Sequence, residues 1–382
     1  MDPVLLKALI FANLGLYSLI AGYKLIGNKS ITGIMRILSP KFEQTKKDIS
    51  PIYLLLLFLL GITGIVLLYK NLDYLTLYFQ YISSRILLRS GTGYYSLLAN
   101  LMIVCAYGVF VYYYSKKKKL NLWVLLPPLI LGSAFLLISA TRLRLILLFA
   151  TIFVSSKLIK KKKFVNANTI ILMVGAIVII FSLGIIRSAD FSDMNNFFQN
   201  NRDLIQERTG ETLKYMFTKD FGHMDTQISI YERYPKWFSH LYGKTYLAFL
   251  AMPIPRSVFP GKPTGAGPII ANAIEPGKWS LNRKFSVSYT PTMFGELYMN
   301  FGLIVSLLVM CLIGFLYKKI YCSFLKVAHE PLSVFLYVIF LLYFVMNCYF
   351  NEFVGGFTYF FEIFISLFIF KYFLNYRKTN AE

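Results

Sequence analysis

Ile52 to Tyr69 reads IYLLLLFLLGITGIVLLY, eighteen residues without a charge. A helix needs roughly 20 apolar residues to cross the hydrocarbon core of a bilayer. Inside lipid the backbone must satisfy its own hydrogen bonds, so the stretch predicts a transmembrane helix. Working outward from it, similar runs lie at Val4–Ile26, Tyr94–Tyr114, Leu122–Ile138, Leu143–Ile159, Thr169–Ile186, Met293–Leu316, Leu332–Phe350 and Phe357–Phe373. The fold class expected is an all-α polytopic membrane protein with about nine spans, ten or eleven if re-entrant segments are counted. Leu72–Leu88 is amphipathic and reads either as an interfacial helix or as such a re-entrant segment. The first run starts after Asp2, lacks a basic leader and is too long for a signal peptide, so it is expected to stay as a span.

Composition agrees with this class. Hydrophobic residues make up 57% of the 382 and charged residues 15%, whereas a soluble chain carries about a quarter charged residues. The formal net charge is +22, which raises the question of nucleic acid. The placement of the charge answers it. Lysines and arginines crowd into every second loop: Lys29 to Lys47, Lys116 to Lys119, Lys157 to Lys163, Lys318 to Lys326, and the tail from Lys371 to Lys378. These are short runs at span ends, the pattern of cytoplasmic loops, where they meet anionic headgroups. No nucleic-acid partner is expected. The N-terminus is expected outside, the C-terminus in the cytoplasm. Four cysteines, Cys105, Cys311, Cys322 and Cys348, sit in or beside apolar runs without a CxxC pair, so neither a disulfide framework nor a zinc site is indicated.

Three regions follow: an N-terminal bundle of about six helices (1–186), a long extracytoplasmic loop (187–292), and a C-terminal bundle of about three helices with a cytoplasmic tail (293–382). The loop is roughly a hundred residues, and loops of that length are usually functional. Its first half holds helix-compatible stretches such as Asn201–Tyr215. Its second half has an apolar patch, Tyr246–Met252, suited to dip into the membrane. After the patch comes Pro253-Ile-Pro-Arg256-Ser-Val-Phe-Pro260-Gly-Lys262-Pro263, whose prolines rule out a regular helix and stiffen the path that carries Arg256 and Lys262. The seventh span opens with Gly295-Glu296-Leu-Tyr298-Met-Asn300-Phe-Gly302.

Charges at membrane depth are costly and face a cavity or a partner. Arg142 and Arg144 precede the fifth span, Arg187 ends the sixth and Glu296 starts the seventh. For the arginines, snorkelling to the interface and facing a cavity are both open readings. Arg142 and Arg144 are two residues apart, so at most one faces a central cavity. Glu296 reads either as the partner of one of these arginines or as a reactive carboxylate. A cavity lined by Arg142, Arg187, Arg256 and Lys262 would suit a polyanion, since guanidinium groups grip phosphate oxygens bidentately. A lipid-linked pyrophosphate is the polyanion met at this depth. Loop aromatics such as Tyr231, Tyr234 and Trp237 are suited to stack on sugars. For a general base the outer residues His223, Asp225, Glu232, His240 and Glu296 are available, with His223 and Asp225 adjacent in Gly222-His-Met-Asp225. The outer face carries no HExxH, GxSxG, paired-aspartate metal motif or phosphate-binding glycine loop.

This layout resembles the Wzy-type polymerases of O-antigen and oligosaccharide repeat units. The likeness is carried by Pro253-Ile-Pro-Arg256 through Lys262-Pro263, by Gly295-Glu-Leu-Tyr-Met-Asn-Phe-Gly302, and by Ser139–Arg144 as an arginine motif before a helix. It is sharp across Pro253 to Gly302 and architectural elsewhere. The resemblance implies a bundle like that of the polytopic GT-C polymerases and ligases, in the bacterial inner membrane with its site facing outside. It implies transfer of a growing chain from undecaprenyl pyrophosphate to a lipid-linked repeat unit, without metal or other cofactor. Implied partners are the two lipid-linked oligosaccharides, the membrane lipids, a chain-length regulator and a flippase. Carried over to this chain, Arg142, Arg256 and Lys262 would stabilise the departing pyrophosphate, with Arg187 added from its position. Glu296 would be the base or orient it, Asp225 and His223 being the competing bases, and Tyr298 would line the substrate site. An O-antigen ligase would use the same donor and differ only in acceptor. A flippase or exporter would be expected to show repeats of the bundle, and a scaffold subunit would not need buried arginines.

Overall fold

The computed structural model describes residues 3–25, 51–70, 93–116, 120–138, 142–161, 175, 199, 202–203, 223–252, 254, 258–280 and 288–364. Within them the chain is helical, and eight of the nine apolar stretches lie on helices. These are α1 (Pro3–Lys24), α2 (Pro51–Lys70), α3 (Gly93–Ser115), α4 (Leu122–Ile138) and α5 (Arg142–Ile159). Three helices follow from the long loop: α6 (His223–Arg233), α7 (Lys244–Ala251) and α8 (Ala266–Ile274). The C-terminal region supplies α9 (Thr292–Val327) and α10. The latter begins as Pro331–Ile339, passes through the π-helical turns Phe340–Met346 and ends at Asn347–Phe350. Last comes α11 (Phe353–Phe364). Thr169–Ile186, Leu72–Leu88 and nearly all of Asn201–Tyr215 fall outside the described residues.

Among the described residues five helices are long and apolar enough to cross a membrane: α1, Pro51–Leu68 of α2, Tyr94–Ser115 of α3, α9, and α10 through Phe350. The other expected spans do not meet this measure within the described residues, and the count of nine stays an expectation. Leu122–Leu137 of α4 is apolar but short, and α11 is described only as far as Phe364. Helix α5 carries Arg142, Arg144 and Lys157. The polytopic all-α class stands on the five.

The helices gather around two cores. One joins α2, α3, α4, α5, α10 and α11 around Tyr107, Phe110, Phe335 and Tyr343, all at most 1% exposed. The other joins α1, α6, α8 and α9 around Ile230, Tyr231, Ile270 and Met299. In the second, α1 and α9 run parallel. Gly15 lies against Phe294, Gly22 against the Cys311 carbonyl, and Gly314 against the Leu19 carbonyl. A Cβ at Gly22 or Gly314 would overlap the neighbouring backbone, so the two small residues set the close approach. Ser18 Oγ closes the seam by donating to the Leu307 carbonyl. The start of α1 therefore lies beside the loop helices, and Lys7 Nζ donates to the Tyr231 carbonyl at 3.2 Å.

Helix α9 spans 36 residues, about 54 Å at 1.5 Å per residue, well beyond a bilayer core. It is broken at Gly302, whose φ of 74° and ψ of −176° are non-helical. Only glycine tolerates this backbone at little cost. The two parts differ. From Phe294 to Asn300 every residue is buried. Beyond the break Ile304, Leu308, Leu312 and Leu316 form an exposed i, i+4 stripe, an apolar face suited to lipid. Helix α7 is likewise exposed at Leu247 and Leu250 while Thr245, Ala248 and Ala251 are buried. It occupies the patch expected to dip into the membrane.

Candidate functional site

The break in α9 frees backbone carbonyls that would otherwise bond within the helix. The loop between α6 and α7 takes them up. Leu241 N donates to the Met299 carbonyl and Tyr242 N to the Asn300 carbonyl, each at 3.0 Å. His240 packs against Gly302, edge-on to Tyr298, with Nδ1 3.3 Å from the Met299 carbonyl. Asn300 ties the pieces together. Its Oδ1 accepts from Gly243 N at 2.9 Å, and its Nδ2 donates to Thr245 Oγ1 and to the Glu296 carbonyl, both at 2.8 Å. At the other end of this half-helix Thr292 is held at φ 59°, an unusual backbone for a β-branched residue. Its hydroxyl accepts from Gln227 Nε2 at 2.6 Å, which joins α6 to α9.

Glu296 lies in the middle of this anchored half-helix with no exposed surface. Its Oε2 accepts a hydrogen bond from the Phe353 amide at 2.6 Å. Its Oε1 is buried and has no hydrogen-bond partner. The Thr245 hydroxyl, the Tyr246 phenol and Cys348 face the same carboxylate. No ion pair to Glu296 occurs among the described residues. Of the two readings of this residue, the ion pair is therefore absent from the described residues, and an open buried carboxylate oxygen is present. Such a group is costly unless something binds it.

A second carboxylate belongs to the connection that anchors Glu296, one residue before Phe353. Glu352, in the short connection between α10 and α11, acts electrostatically on Glu296. Its Oε2 accepts from the Gly267 amide at 2.6 Å, in the first turn of α8. Gly265 and Gly267 leave room for it: a Cβ at Gly265 would stand 2.7 Å from Glu352 Oε2. Burial pushes the Glu352 carboxyl above the ordinary carboxylate range, and the Gly267 amide pulls it partly back. The start of α8, just after the proline-rich stretch, is thereby fastened to the connection that also anchors Glu296 through Phe353.

The remaining expected site residues are placed as follows. Tyr298 is 5% exposed, with its hydroxyl donating to the Tyr234 carbonyl at 3.2 Å and its ring edge-on to Tyr231. Its visible role is packing. Lys262 Nζ donates to the Met252 and Ile254 carbonyls at 2.6 and 3.0 Å, holding the chain at the end of α7. Asp225 is exposed in the first turn of α6. His223 opens α6 and Arg142 opens α5, but both side chains lie outside the described residues, as do Arg187 and Arg256 entirely. The shared basic hollow expected for phosphate thus falls outside what is described.

Sequence reasoning missed two residues. Glu352 appeared only as a lone acid in Asn351-Glu352 between two apolar runs, and a charge in that position is itself a signal. Arg144 was recognised but not chosen. Its guanidinium lies 3.8 Å from the centre of the buried Tyr359 ring, inside the first core. No protein-family model matches the chain, and no curated protein or solved structure matches it significantly.

Proposed function

We propose that the protein polymerises lipid-pyrophosphate-linked oligosaccharide repeat units by metal-independent glycosyl transfer on the outer face of a bacterial inner membrane, within a bundle of the GT-C-like kind. The observation that carries this reading is Glu296, a buried carboxylate with one open oxygen. It lies in the segment Gly295–Gly302 that carries the family resemblance. A hydroxyl that must lose its proton needs an acceptor of this type in a dry site.

In this reading the acceptor sugar's hydroxyl attacks the anomeric carbon of the donor chain. Its proton goes to Glu296 Oε1. The bond from the anomeric carbon to the pyrophosphate breaks, and the electron pair leaves with the lipid pyrophosphate. Arg142, Arg187 and Arg256 stabilise that growing negative charge. Lys262, already holding the loop carbonyls, adds its charge from the base of the loop. Tyr298, hydrogen-bonded and buried, is assigned to the substrate site, and Asp225 and His223, at the start of α6, are the competing bases.

Two further features support the placement. The start of α1 contacts the loop helices, which agrees with an N-terminus on the same side as the long loop. The opposite ends of α1 and α9 bear Lys24, Lys318 and Lys319, as a cytoplasmic face requires. Exposed Leu247, Leu250, Ile254, Val258 and Phe259 give the loop an apolar surface on which a prenyl tail can lie.

The test is reconstitution of the full chain in vesicles with one defined lipid-pyrophosphate oligosaccharide. A product ladder spaced by one repeat is expected. Transfer only to added lipid A core would make it a ligase. No new glycosidic bond in intact vesicles would overturn the reading.

A further inference from the structure

We infer that α7 is a re-entrant helix, sunk into the bilayer from the end at which α9 begins, and that its Leu247–Leu250 face is a lipid-docking surface whose partner is the hydrocarbon of the surrounding acyl chains. The inference goes beyond the transfer reading and stands without it.

The level of the bilayer comes from α9. Counting back about 20 residues, the length of one hydrocarbon core, from Lys318 near its far end reaches Tyr298. Asn300, Phe301 and the break at Gly302 therefore lie just inside the boundary. Helix α7 starts at that level. Gly243 N donates to Asn300 Oδ1 at 2.9 Å, and Thr245 Oγ1 accepts from Asn300 Nδ2 at 2.8 Å. The Tyr246 ring stacks on Phe301, with centroids 6.0 Å apart.

Its direction comes from α11. That helix begins at Phe353, whose amide binds Glu296 and so lies at the level of the start of α9. Tyr246 meets the Phe353 ring at 5.1 Å between centroids. Three residues later Phe249 meets Phe357 at 4.5 Å and Phe361 at 5.7 Å. Phe361 is eight positions after Phe353, about 12 Å at 1.5 Å per residue. Helix α7 thus leads away from the connection between α10 and α11 and towards the middle of the membrane.

The exposed residues are sorted along this path. Trp237, Tyr242 and Lys244, before and at the start of α7, are exposed, and residues of these types suit the headgroup level. Further along, Leu247 and Leu250 are 57% and 68% exposed, while Thr245, Ala248 and Ala251 are buried on the other face. Phe361, in contact with Phe249, is exposed as well, so the apolar surface runs on from α7 to α11. Hydrocarbon cannot satisfy the carbonyls at a helix end. Lys262 Nζ donates to two of them, those of Met252 and Ile254, and backbone carbonyls are a usual partner for a cation held at depth. On its buried side Thr245 shares Asn300 with the Glu296 carbonyl. A hydrocarbon chain resting on Leu247 and Leu250 is separated from that half of α9 by α7 alone.

The experiment places a nitroxide on the full chain in nanodiscs, at Leu250→Cys or Leu247→Cys. Two reference positions are Leu308→Cys, on the exposed stripe of α9, and Lys236→Cys, before α7. Native protein taken through the same labelling supplies the background of its own cysteines. Collision with oxygen, which concentrates in hydrocarbon, is compared with collision with a water-soluble nickel chelate. The oxygen-to-nickel ratio at Leu250 is expected to match that at Leu308, with Leu247 falling between Leu308 and Lys236. A ratio at Leu250 equal to that at Lys236 would place α7 in water and overturn the inference. Low collision with both reagents would show a face covered by protein, and dipolar broadening in nanodiscs holding two copies would give the face to a second copy; either result also overturns it. Leu247→Cys repeats the decision if Leu250→Cys does not fold. None of these measurements uses glycosyl transfer, so a failure of that reading leaves them in force.

Discussion

Two buried polar networks sit in this bundle, and they handle charge in opposite ways. In the first core Arg144 lies over the Tyr359 ring, and both Arg144 and Glu362 act on Tyr359. The Tyr107 and Tyr343 hydroxyls bond to each other, and Asn100 Nδ2 donates to Glu362 Oε2 at 3.0 Å. A cation and an anion both act on this cluster of aromatic hydroxyls. At the start of α9, by contrast, Glu296 and Glu352 each accept from a backbone amide, one Glu296 oxygen is left open, and no cation pairs with Glu296 among the described residues. A balanced network costs little to keep buried and serves to fix the packing. A buried carboxylate with an open oxygen is costly, and it persists where protonation is put to use. On the proposed reading the first network is structural and the second carries the chemistry.

The sharpest way to break this contrast is Glu296→Gln. The amide can still accept from Phe353 N, so folding is expected to survive. It cannot take a proton, and the polymerisation rate is expected to fall by roughly 10²- to 10⁴-fold, the usual contribution of a positioned acid or base. The rate is read from ladder formation in vesicles. A rate within twofold of native would move the chemistry away from α9.

Next in size is Arg144→Met, which removes the cation and keeps the bulk of the side chain. It forfeits the cation–π contact with the buried Tyr359 ring. A loss of about 1–2 kcal/mol in stability is expected, measured by thermal unfolding in detergent. The shape of the pH–rate profile should be unchanged, because the network it disturbs holds no reacting proton. A displaced profile would join the two networks into one site.

These two substitutions also mark what was legible in the sequence. Spans such as Ile52–Tyr69 and Tyr94–Tyr114 could be read because lipid acts on each helix separately, so local composition decides. Glu296 was legible because a carboxylate inside an apolar run is anomalous wherever its neighbours lie. The break at Gly302 was less so. A lone glycine does not distinguish a continuous helix from an interrupted one, and the carbonyls it frees are met by Leu241 and Tyr242, some sixty positions away. Periodicity stated that Arg142 and Arg144 diverge, but which of them meets Tyr359 depends on how α5 is rotated against α11. Glu352 became visible only when folding brought Gly267 to it, 85 residues apart in sequence.

The smallest expected effect tests whether Glu352 belongs to the reactive network or is merely a charged cap on α8. Burial is the larger influence on this carboxyl and raises it, while the Gly267 amide lowers it by less. The folded protein therefore keeps the Glu352 proton to a higher pH than the unfolded chain, whose glutamates titrate near about 4.3. Between that value and the raised one, the folded state binds more protons, so the contribution to stability falls as pH rises. It is fully present below the unfolded value and lost once pH passes the folded one. Glu352→Gln removes this term, and its melting temperature in detergent should decline less with rising pH across that interval than the native protein's. A cap held by its negative charge has the reverse dependence, because ionisation would strengthen its bond to the Gly267 amide and to the positive end of α8. A native melting temperature that climbs through the same interval, and a flat one in Glu352→Gln, would therefore class Glu352 with the structural network and leave Glu296 to act alone.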